Sequence, residues 1–269
     1  MRHWTICALL ALLPFAAAAG DARLEPLETS EAGRGWNGVG RLNLNGRGFC
    51  TGALIAPDLV LTAAHCLFDK ASKARIDQDG IEFLAGWRNG RAAAYRQVRR
   101  AVVHPAYVYD GEASAGRVRN DLALLELSQP IRNTAVAPFD TGTQPRRGES
   151  VGVVSYAHDR AEAPSLQETC GVMARQEGVL ILSCNVDFGA SGAPVFSFAG
   201  REPRIVSVVS AKAEVEGQSV ALGTPLDGPL ELLRAELEAG RGFDLAPAPE
   251  VNRMAAGARR ETGAKFVRP

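Results

Sequence analysis

Runs of alternating apolar and polar residues recur along most of this chain, and each run predicts a short β-strand between Gly, Asp or Asn turns. The first six runs lie near Val39–Asn45, Gly48–Ile55, Leu59–Thr62, Ile81–Trp87, Tyr95–Val103 and Leu122–Leu127. The second six lie near Ser150–Tyr156, Leu166–Ala174, Val179–Cys184, Ala193–Phe198, Arg204–Ala211 and Ser219–Pro225. Two antiparallel β-barrels bury so many short strands without open edges. We therefore predict an all-β fold of two six-stranded barrels.

A proline-containing connection separates the two sets of strands. Residues 128–148 carry three prolines and are predicted to link the barrels. Barrel one then covers about residues 36–127, and barrel two covers about residues 149–227. A cleft between two such barrels is a common place for a binding site.

The pattern changes after barrel two. Leu230, Leu233 and Leu237 would share one helical face between a proline near the start and a glycine at the stop. Residues 228–239 are therefore predicted to form a short C-terminal helix. From residue 244 to residue 269, Ala, Pro, Gly and Arg dominate, which predicts a disordered, somewhat basic tail.

Residues 1–19 have the pattern of a signal peptide. Arg2 and His3 precede an apolar run that ends in Ala17-Ala18-Ala19, a small-residue cleavage site. A single membrane anchor is the alternative, but the run is short for a bilayer and its ending favours cleavage. No later stretch is long and apolar enough to span a membrane. Residues 20–35 are mostly polar and acidic without periodicity, which predicts a leader or propeptide.

Composition excludes some classes of function. The 269 residues are 46% hydrophobic and 22% charged, enough for one large domain or two small barrels with real cores. Thirty basic and thirty acidic residues cancel, so no global charge indicates a nucleic-acid partner.

The cysteines indicate disulfides. Removal of the signal peptide also removes Cys7 and leaves four cysteines: Cys50, Cys66, Cys170 and Cys184. In an exported protein an even number predicts two bridges, and three pairings are possible. A metal site is the rival interpretation, but the chain has no Cys-x-x-Cys motif and no histidine cluster. We predict no metal and no cofactor.

The candidate chemistry begins at Ser191, which lies between Ala190 and Gly192 in the stretch 187–196. Glycines around a serine allow a tight turn that can aim the hydroxyl and nearby N–H groups at one point. That geometry suits attack on a carbonyl and stabilisation of the resulting oxyanion. Small-residue turns are also common, so Ser191 is a candidate nucleophile only if the chain also provides a base.

A base and an acid precede the serine in the chain. His65 ends a strand-like apolar run, and Asp121 opens another run that is apolar enough to be buried. A buried aspartate needs a partner, and a histidine N–H is a suitable one. No histidine follows Ser191, which excludes the chain order of the α/β-hydrolases. Taken singly, His65 could be a core histidine and Asp121 a strand-start cap.

Several blocks resemble the signatures of chymotrypsin-like (trypsin-fold) serine proteases, in the family's order of His, Asp and Ser. The four main blocks are Phe49-Cys50-Thr51-Gly52-Ala53-Leu54-Ile55, Leu61-Thr62-Ala63-Ala64-His65-Cys66, Asn120-Asp121-Leu122-Ala123-Leu124-Leu125 and Gly189-Ala190-Ser191-Gly192-Ala193-Pro194. A fifth, weaker match starts at Val102 and includes His104. The resemblance covers roughly residues 36–227 and implies a protease domain over residues 36–243.

The resemblance implies roles for particular residues. His65 would be the general base, Asp121 its orienting partner and Ser191 the nucleophile. The N–H groups of Gly189 and Ser191 would form the oxyanion hole. A Cys50–Cys66 bridge would match the family's histidine-loop disulfide, which leaves Cys170 with Cys184. His158, in a polar loop, is left without a role.

One departure from the family concerns activation. Many animal trypsin-like enzymes place an aspartate directly before the nucleophile and pair it with a new N-terminal amine in an Ile-Val-Gly-Gly start. Here Ala190 occupies that position, and no such start precedes the first barrel. The chain therefore resembles bacterial exported members more closely, such as glutamyl-endopeptidase-like proteases.

Substrate-binding residues are also implied by the resemblance. Asn185 takes the pocket-floor position, where its neutral side chain gives no anionic anchor for Lys or Arg. Ser210 matches a wall position and Lys212 follows it. Lys212 would either favour an acidic substrate side chain or remain solvated.

Together these features predict an exported serine endopeptidase, secreted or periplasmic, that acts on protein or peptide substrates. We expect a monomer with no nucleic-acid partner and no stable membrane association after signal removal. Two alternatives stay open: a catalytically silent binding module on the same fold, and an esterase or amidase using the same three residues.

Overall fold

The computed structural model describes residues 23–46, 48–76, 80–109, 114–215 and 217–244. The first strands are β1 (Glu25–Pro26), β2 (Val39–Leu44), β3 (Phe49–Ala56), β4 (Leu59–Thr62), β5 (Ile81–Ala85), β6 (Ala94–Val103) and β7 (Ala123–Leu127). The later strands are β8 (Ser150–Ala157), β9 (Arg160–Gln176), β10 (Val179–Leu182), β11 (Pro194–Ser197), β12 (Arg204–Val215), β13 (Gln218–Pro225) and β14 (Phe243–Asp244). The helices are α1 (Ala115–Arg119), α2 (Pro229–Glu238) and a 3₁₀ turn over Ala64–Leu67.

These strands form two closed antiparallel barrels. In barrel one the order is β6-β5-β2-β3-β4-β7, and pairing of β6 with β7 closes the ring. In barrel two the order is β9-β10-β13-β12-β11-β8, and pairing of β8 with β9 closes it. The short strands β1 and β14 add to β9 and β6. The predicted all-β fold of two six-stranded barrels with a short C-terminal helix is confirmed.

Local sequence explains why these strands form where they do. In β4, which lies between β3 and β7, all four side chains from Leu59 to Thr62 are buried, so both faces of this strand are covered. Between β9 and β10, Glu177 and Gly178 both have positive φ, at 50° and 88°. Such a two-residue turn matches the twist of a tight hairpin.

Two of the elements that differ from the sequence prediction are β9 and α1. Strand β9 starts at Arg160, six residues before the predicted start, because it already pairs with β8 at Ala157. Its first six residues contain no large apolar side chain, so the strand pattern is weak there. Helix α1 lies between β6 and β7, where no helix was predicted, and the Ser114 hydroxyl accepts the Arg117 N–H and caps it.

The N-terminal segment packs against both barrels. Leu27 is 2% exposed, and its N–H donates to Pro164 O at 2.9 Å in barrel two. The Arg88 guanidinium, which follows β5, donates to Leu27 O at 2.7 Å and to Gly33 O at 3.3 Å. Residues 25–33 thus connect the barrels.

The limits of the signal peptide, leader, protease domain and tail stay predictions. Residues 1–19 and 245–269 lie outside the described residues, and of the predicted tail only Asp244 is described, in β14. In the described part of the chain, no helix has the length and apolar character needed to cross a membrane.

Candidate active site

A cavity of about 670 Å³ lies between the two barrels and collects most of the predicted site residues. His65 reaches it from barrel one, and Ser191 reaches it from the loop that leads into β11 of barrel two. Gly189, Ser210 and Lys212 also line it. A site built between two rigid barrels can therefore draw on both.

His65 is held by Asp121 at two points. The imidazole Nδ1 lies 2.7 Å from Asp121 Oδ2, and the His65 backbone N–H donates to Asp121 Oδ1 at 2.8 Å. The 3₁₀ turn after β4 presents His65, while Asp121 lies between α1 and β7. Neighbouring strands β4 and β7 thus bring together residues that are 56 positions apart.

Asp121 is a buried carboxylate whose oxygen atoms accept hydrogen bonds. Its side chain is 1% exposed, and it accepts a third hydrogen bond from the Ser210 hydroxyl of β12. Burial of a charged group is tolerated only when hydrogen bonds replace its water. Ser210 therefore contacts the acid directly, a contact that the wall position implied by the resemblance did not suggest.

Ser191 lies in a turn shaped by two glycines. Gly189 and Gly192 have φ of 99° and 79°, a region that side-chain-bearing residues seldom adopt. A Cβ at Gly189 would lie 2.4 Å from the Phe49 ring, and one at Gly192 would lie 2.1 Å from the Thr62 hydroxyl. Both positions therefore require glycine for conformation and for space.

Polar groups around Ser191 are open to a ligand. Within the described residues, the Gly189 N–H, the Ser191 N–H and the Ser191 hydroxyl make no hydrogen bond. His65 lines the same cavity but does not yet accept a hydrogen bond from Ser191. Catalytic hydrogen bonds are often long before substrate binds.

Thr51 is a part of the site that sequence reasoning missed. It is 0% exposed, its N–H donates to Ser191 O at 2.9 Å, and its hydroxyl donates to Gly189 O at 2.9 Å. The sequence signal was available, because Thr51 follows Cys50 within the first block that carries the family resemblance. Only the fold shows what it contacts.

Of the predicted substrate-binding residues Asn185 and Lys212, only Lys212 lines the cavity. Asn185 is exposed, its N–H donates to Gln167 Oε1 at 2.7 Å, and it does not line the described cavity. Lys212 does line the cavity, and its Nζ lies 4.0 Å from Asp187 Oδ1. Both side chains of that pair are about half exposed, so solvent screens it strongly.

The other described histidines have different surroundings. His158 is exposed and lines the cavity, where its N–H donates to Phe188 O at 2.7 Å. His104 is buried, and its Nδ1 accepts the Ala106 N–H at 3.3 Å. Burial lowers the pKa of His104 below its ordinary value, because a charged imidazole would lose its hydration.

The four described cysteines form two bridges, Cys50–Cys66 and Cys170–Cys184. Their pairing agrees with the one implied by the family resemblance. Cys50, His65 and Cys66 place potential ligand atoms within 4.8 Å of one another. Because both sulfur atoms belong to the disulfide, neither offers the thiolate that a zinc ion would need.

Comparison with known proteins agrees with this geometry. The Trypsin family profile matches residues 29–219. The chain is 28% identical over 150 residues to glutamyl endopeptidase of Bacillus licheniformis, covering 55% of this chain and 45% of that protein. It is 33% identical over 156 residues to human kallikrein-15, covering 57% of this chain and 56% of that protein. The matched region thus spans about half the length of these two relatives.

A solved structure is also similar. A Glu endopeptidase in complex with MPD superposes with a TM-score of 0.61 at 18% identity, covering 76% of this chain and 91% of that one. At this identity the likeness shows the fold alone. The family profile, however, matches most of the chain. The resemblance seen in the sequence is confirmed, and the chain belongs to the trypsin family of chymotrypsin-fold serine proteases.

Proposed function

We propose that this chain is an exported serine endopeptidase that hydrolyses peptide bonds through an acyl-enzyme on Ser191. One arrangement carries the proposal. Ser191, two unbonded N–H groups and a histidine fixed to a buried aspartate all border one cavity. These are the nucleophile, oxyanion donors and oriented base that acyl transfer requires.

The chemistry follows from the orientation of His65. Its Nδ1–H donates to Asp121, so the Nε2 lone pair is left to take the Ser191 proton as the hydroxyl attacks the peptide carbonyl. The carbonyl oxygen gains the negative charge and accepts from the Gly189 and Ser191 N–H groups. His65 then gives its proton to the departing amine, and an ester on Ser191 remains. Water attacks this ester with His65 again as base, which releases the acid and restores the serine.

Asp121 keeps His65 in the useful tautomer and stabilises the imidazolium that forms during the reaction. Its contact with the Ser210 hydroxyl and with the His65 backbone N–H holds the carboxylate in place. Asp121 therefore acts on the base and does not take the proton itself.

A fluorophosphonate probe tests the proposal directly. We expect an adduct at Ser191 by mass mapping, lost in Ser191→Ala and strongly weakened in His65→Ala. Absence of an adduct on folded, signal-free protein would instead favour a silent binding module. Relative rates on matched ester and peptide substrates separate an endopeptidase from an esterase.

Lys212 leads to a further proposal about the substrate. We expect acidic side chains to be favoured, because Lys212 lines the cavity and the nearby Asp187 carboxylate offsets its charge only weakly. Two similar proteins carry glutamate in their names, glutamyl endopeptidase and Glu endopeptidase. In Lys212→Ala, cleavage after Glu should fall about two- to fivefold relative to cleavage after Gln. An unchanged Glu-to-Gln ratio would remove Lys212 from substrate recognition.

The proposed setting is outside the cytoplasm, secreted or periplasmic. The pattern of residues 1–19 supports export, and the two disulfides fit an oxidising compartment. Protein or peptide substrates are expected, and the protein is proposed to act as a monomer.

A further inference from the structure

The backbone carbonyl groups of residues 187–191 all accept hydrogen bonds. Asp187 O accepts the Ala190 N–H at 2.9 Å, and Phe188 O accepts the His158 N–H at 2.7 Å. Gly189 O accepts the Thr51 hydroxyl at 2.9 Å. Ala190 O accepts the Ala193 N–H at 2.9 Å, and Ser191 O accepts the Thr51 N–H at 2.9 Å. These five bonds fix the peptide planes of the loop.

This pattern determines where the free N–H groups point. In a trans peptide the N–H lies opposite the carbonyl of the same plane. The Gly189 N–H shares its plane with Phe188 O, which accepts the His158 N–H. The Ser191 N–H shares its plane with Ala190 O, which is bonded to Ala193. Rotating either of these two peptide planes would break one of these bonds.

Thr51 is the member of this network that comes from barrel one. It is 0% exposed, and its hydroxyl also accepts the Tyr156 N–H at 3.2 Å from barrel two. One side chain thus joins β3, β8 and the loop at Gly189. Since a buried hydroxyl that bonds on both sides is costly to remove, this contact restricts the loop strongly.

The residue directly before Ser191 carries no charge that could hold the loop in this arrangement. Ala190 is 0% exposed and has no group that could pair with an N-terminal amine. The loop is nevertheless arranged with both N–H groups free. Within the described residues, none of the five bonds to the loop carbonyls comes from a chain terminus.

We propose that Thr51 is a positioning residue that keeps the Gly189–Ser191 loop assembled without a newly released N-terminal amine. The inference rests on the proposed peptidase function. Thr51 bonds to Gly189 O and Ser191 O, which lie in the peptide planes next to those of the free N–H groups. The catalytic consequence is that Thr51 acts on the transition state by holding the loop backbone that carries both N–H groups. It should therefore affect kcat and leave KM nearly unchanged.

The test compares three variants. Thr51→Val keeps the shape and removes the hydroxyl, Thr51→Ser keeps the hydroxyl, and Ser207→Ala removes a distant buried hydroxyl that donates to Thr224 O at 2.7 Å. We expect kcat of Thr51→Val to fall about ten- to hundredfold, less than for loss of an oxyanion donor itself. Thr51→Ser should recover most of that loss, and Ser207→Ala should lower the melting temperature with little effect on kcat.

Two further measurements do not depend on turnover. A peptide boronic acid, whose tetrahedral adduct places an oxygen at the N–H groups, should bind Thr51→Val more weakly by the same factor as kcat falls. Amide hydrogen exchange in residues 187–192 should speed up in Thr51→Val and stay unchanged in Ser207→Ala. Unchanged loop exchange and an unchanged kcat in Thr51→Val would overturn the positioning role.

A separate experiment tests whether labelling of Ser191 depends on a free N-terminal amine. Wild-type protein that starts at residue 20 and the same protein with an N-terminal extension should label at Ser191 at equal rates. Faster labelling of only the trimmed protein would overturn independence from a free amine. If neither labels, the proposed peptidase function fails, while the exchange experiment still decides whether Thr51 holds the loop.

Discussion

At the scale of single residues, Asp121 orders the site by accepting from three donors while remaining almost fully buried. Two of the donors belong to His65 and the third to Ser210. The position of Asp121 directly before a buried strand was visible in the sequence. The contact with Ser210 was not, because Ser210 lies 89 positions away in the other barrel.

Asp121→Asn should lower kcat by about 10³–10⁴-fold with little change in KM. An amide can donate to Nδ1, which would leave the His65 proton on Nε2, where it cannot accept from Ser191. The measurement is steady-state hydrolysis of a chromogenic peptide near neutral pH. Ser210→Ala is the comparison, since it removes one donor to Asp121 and keeps the carboxylate. A loss for Asp121→Asn no larger than that for Ser210→Ala would contradict the assigned role.

His104 links a buried residue to the pH dependence of stability. Its pKa in the folded protein lies below the ordinary value of 6.5, so the unfolded chain takes up the proton first as the pH falls. The free energy of unfolding therefore decreases on acidification through that value. In His104→Asn, whose amide oxygen can accept the Ala106 N–H, the decrease between pH 7 and pH 5 should be smaller. Denaturant titrations on a Ser191→Ala background, which prevents self-cleavage, measure the two slopes. Equal slopes would show that His104 contributes nothing to the acid sensitivity.

Among the elements, the segment before barrel one makes specific contacts with the fold, which a polar leader would not need. β1 pairs with β9, and Arg88 donates to the backbone of Leu27 and Gly33. A Cβ at Gly33 would lie 1.8 Å from the Arg88 guanidinium, so a larger residue there would displace the Arg88 side chain. The sequence of this segment shows no periodicity, so its packing could not be predicted from pattern alone.

Leu27→Ala should destabilise the protein by about 2–5 kcal/mol, because it empties a fully enclosed site in the core. Leu232→Ala on α2 is the matched control, since Leu232 is 40% exposed and should change stability little. Chemical denaturation of both variants measures the difference. A neutral Leu27→Ala would indicate that residues 25–33 are a removable leader.

At the scale of the whole molecule, the two disulfides hold different parts of the protein. Cys50–Cys66 encloses the strands that lead to His65, and Cys170–Cys184 joins β9 to the segment after β10. Their sequence separations are 16 and 14, so they constrain the unfolded chain to a similar extent. We therefore expect the two disulfides to stabilise the folded protein to a similar extent but to affect catalysis differently.

Each Cys-to-Ala pair should lower the free energy of unfolding by about 3 kcal/mol, as expected for loops of this length. Removal of Cys50–Cys66 should also lower kcat, because Cys66 follows His65 in the same 3₁₀ turn. The Cys170–Cys184 pair serves as the control for lost stability. We would measure the free energy of unfolding and kcat of both double variants. The kcat measurement uses a temperature at which each variant is folded. Equal effects on kcat would contradict a specific role for the first bridge.

Most strands, their grouping into two barrels and the order of His65, Asp121 and Ser191 could be predicted from the sequence. These follow from local chemistry: the alternation of side chains along a strand, the turn residues between strands and short blocks around reactive groups. Tertiary structure alone decided that Asn185 lies outside the cavity and that Ser210 contacts Asp121. It also decided that Thr51 bonds to Gly189, 138 positions away. No local pattern encodes such contacts, because they depend on how two barrels pack and on which backbone groups that packing leaves free.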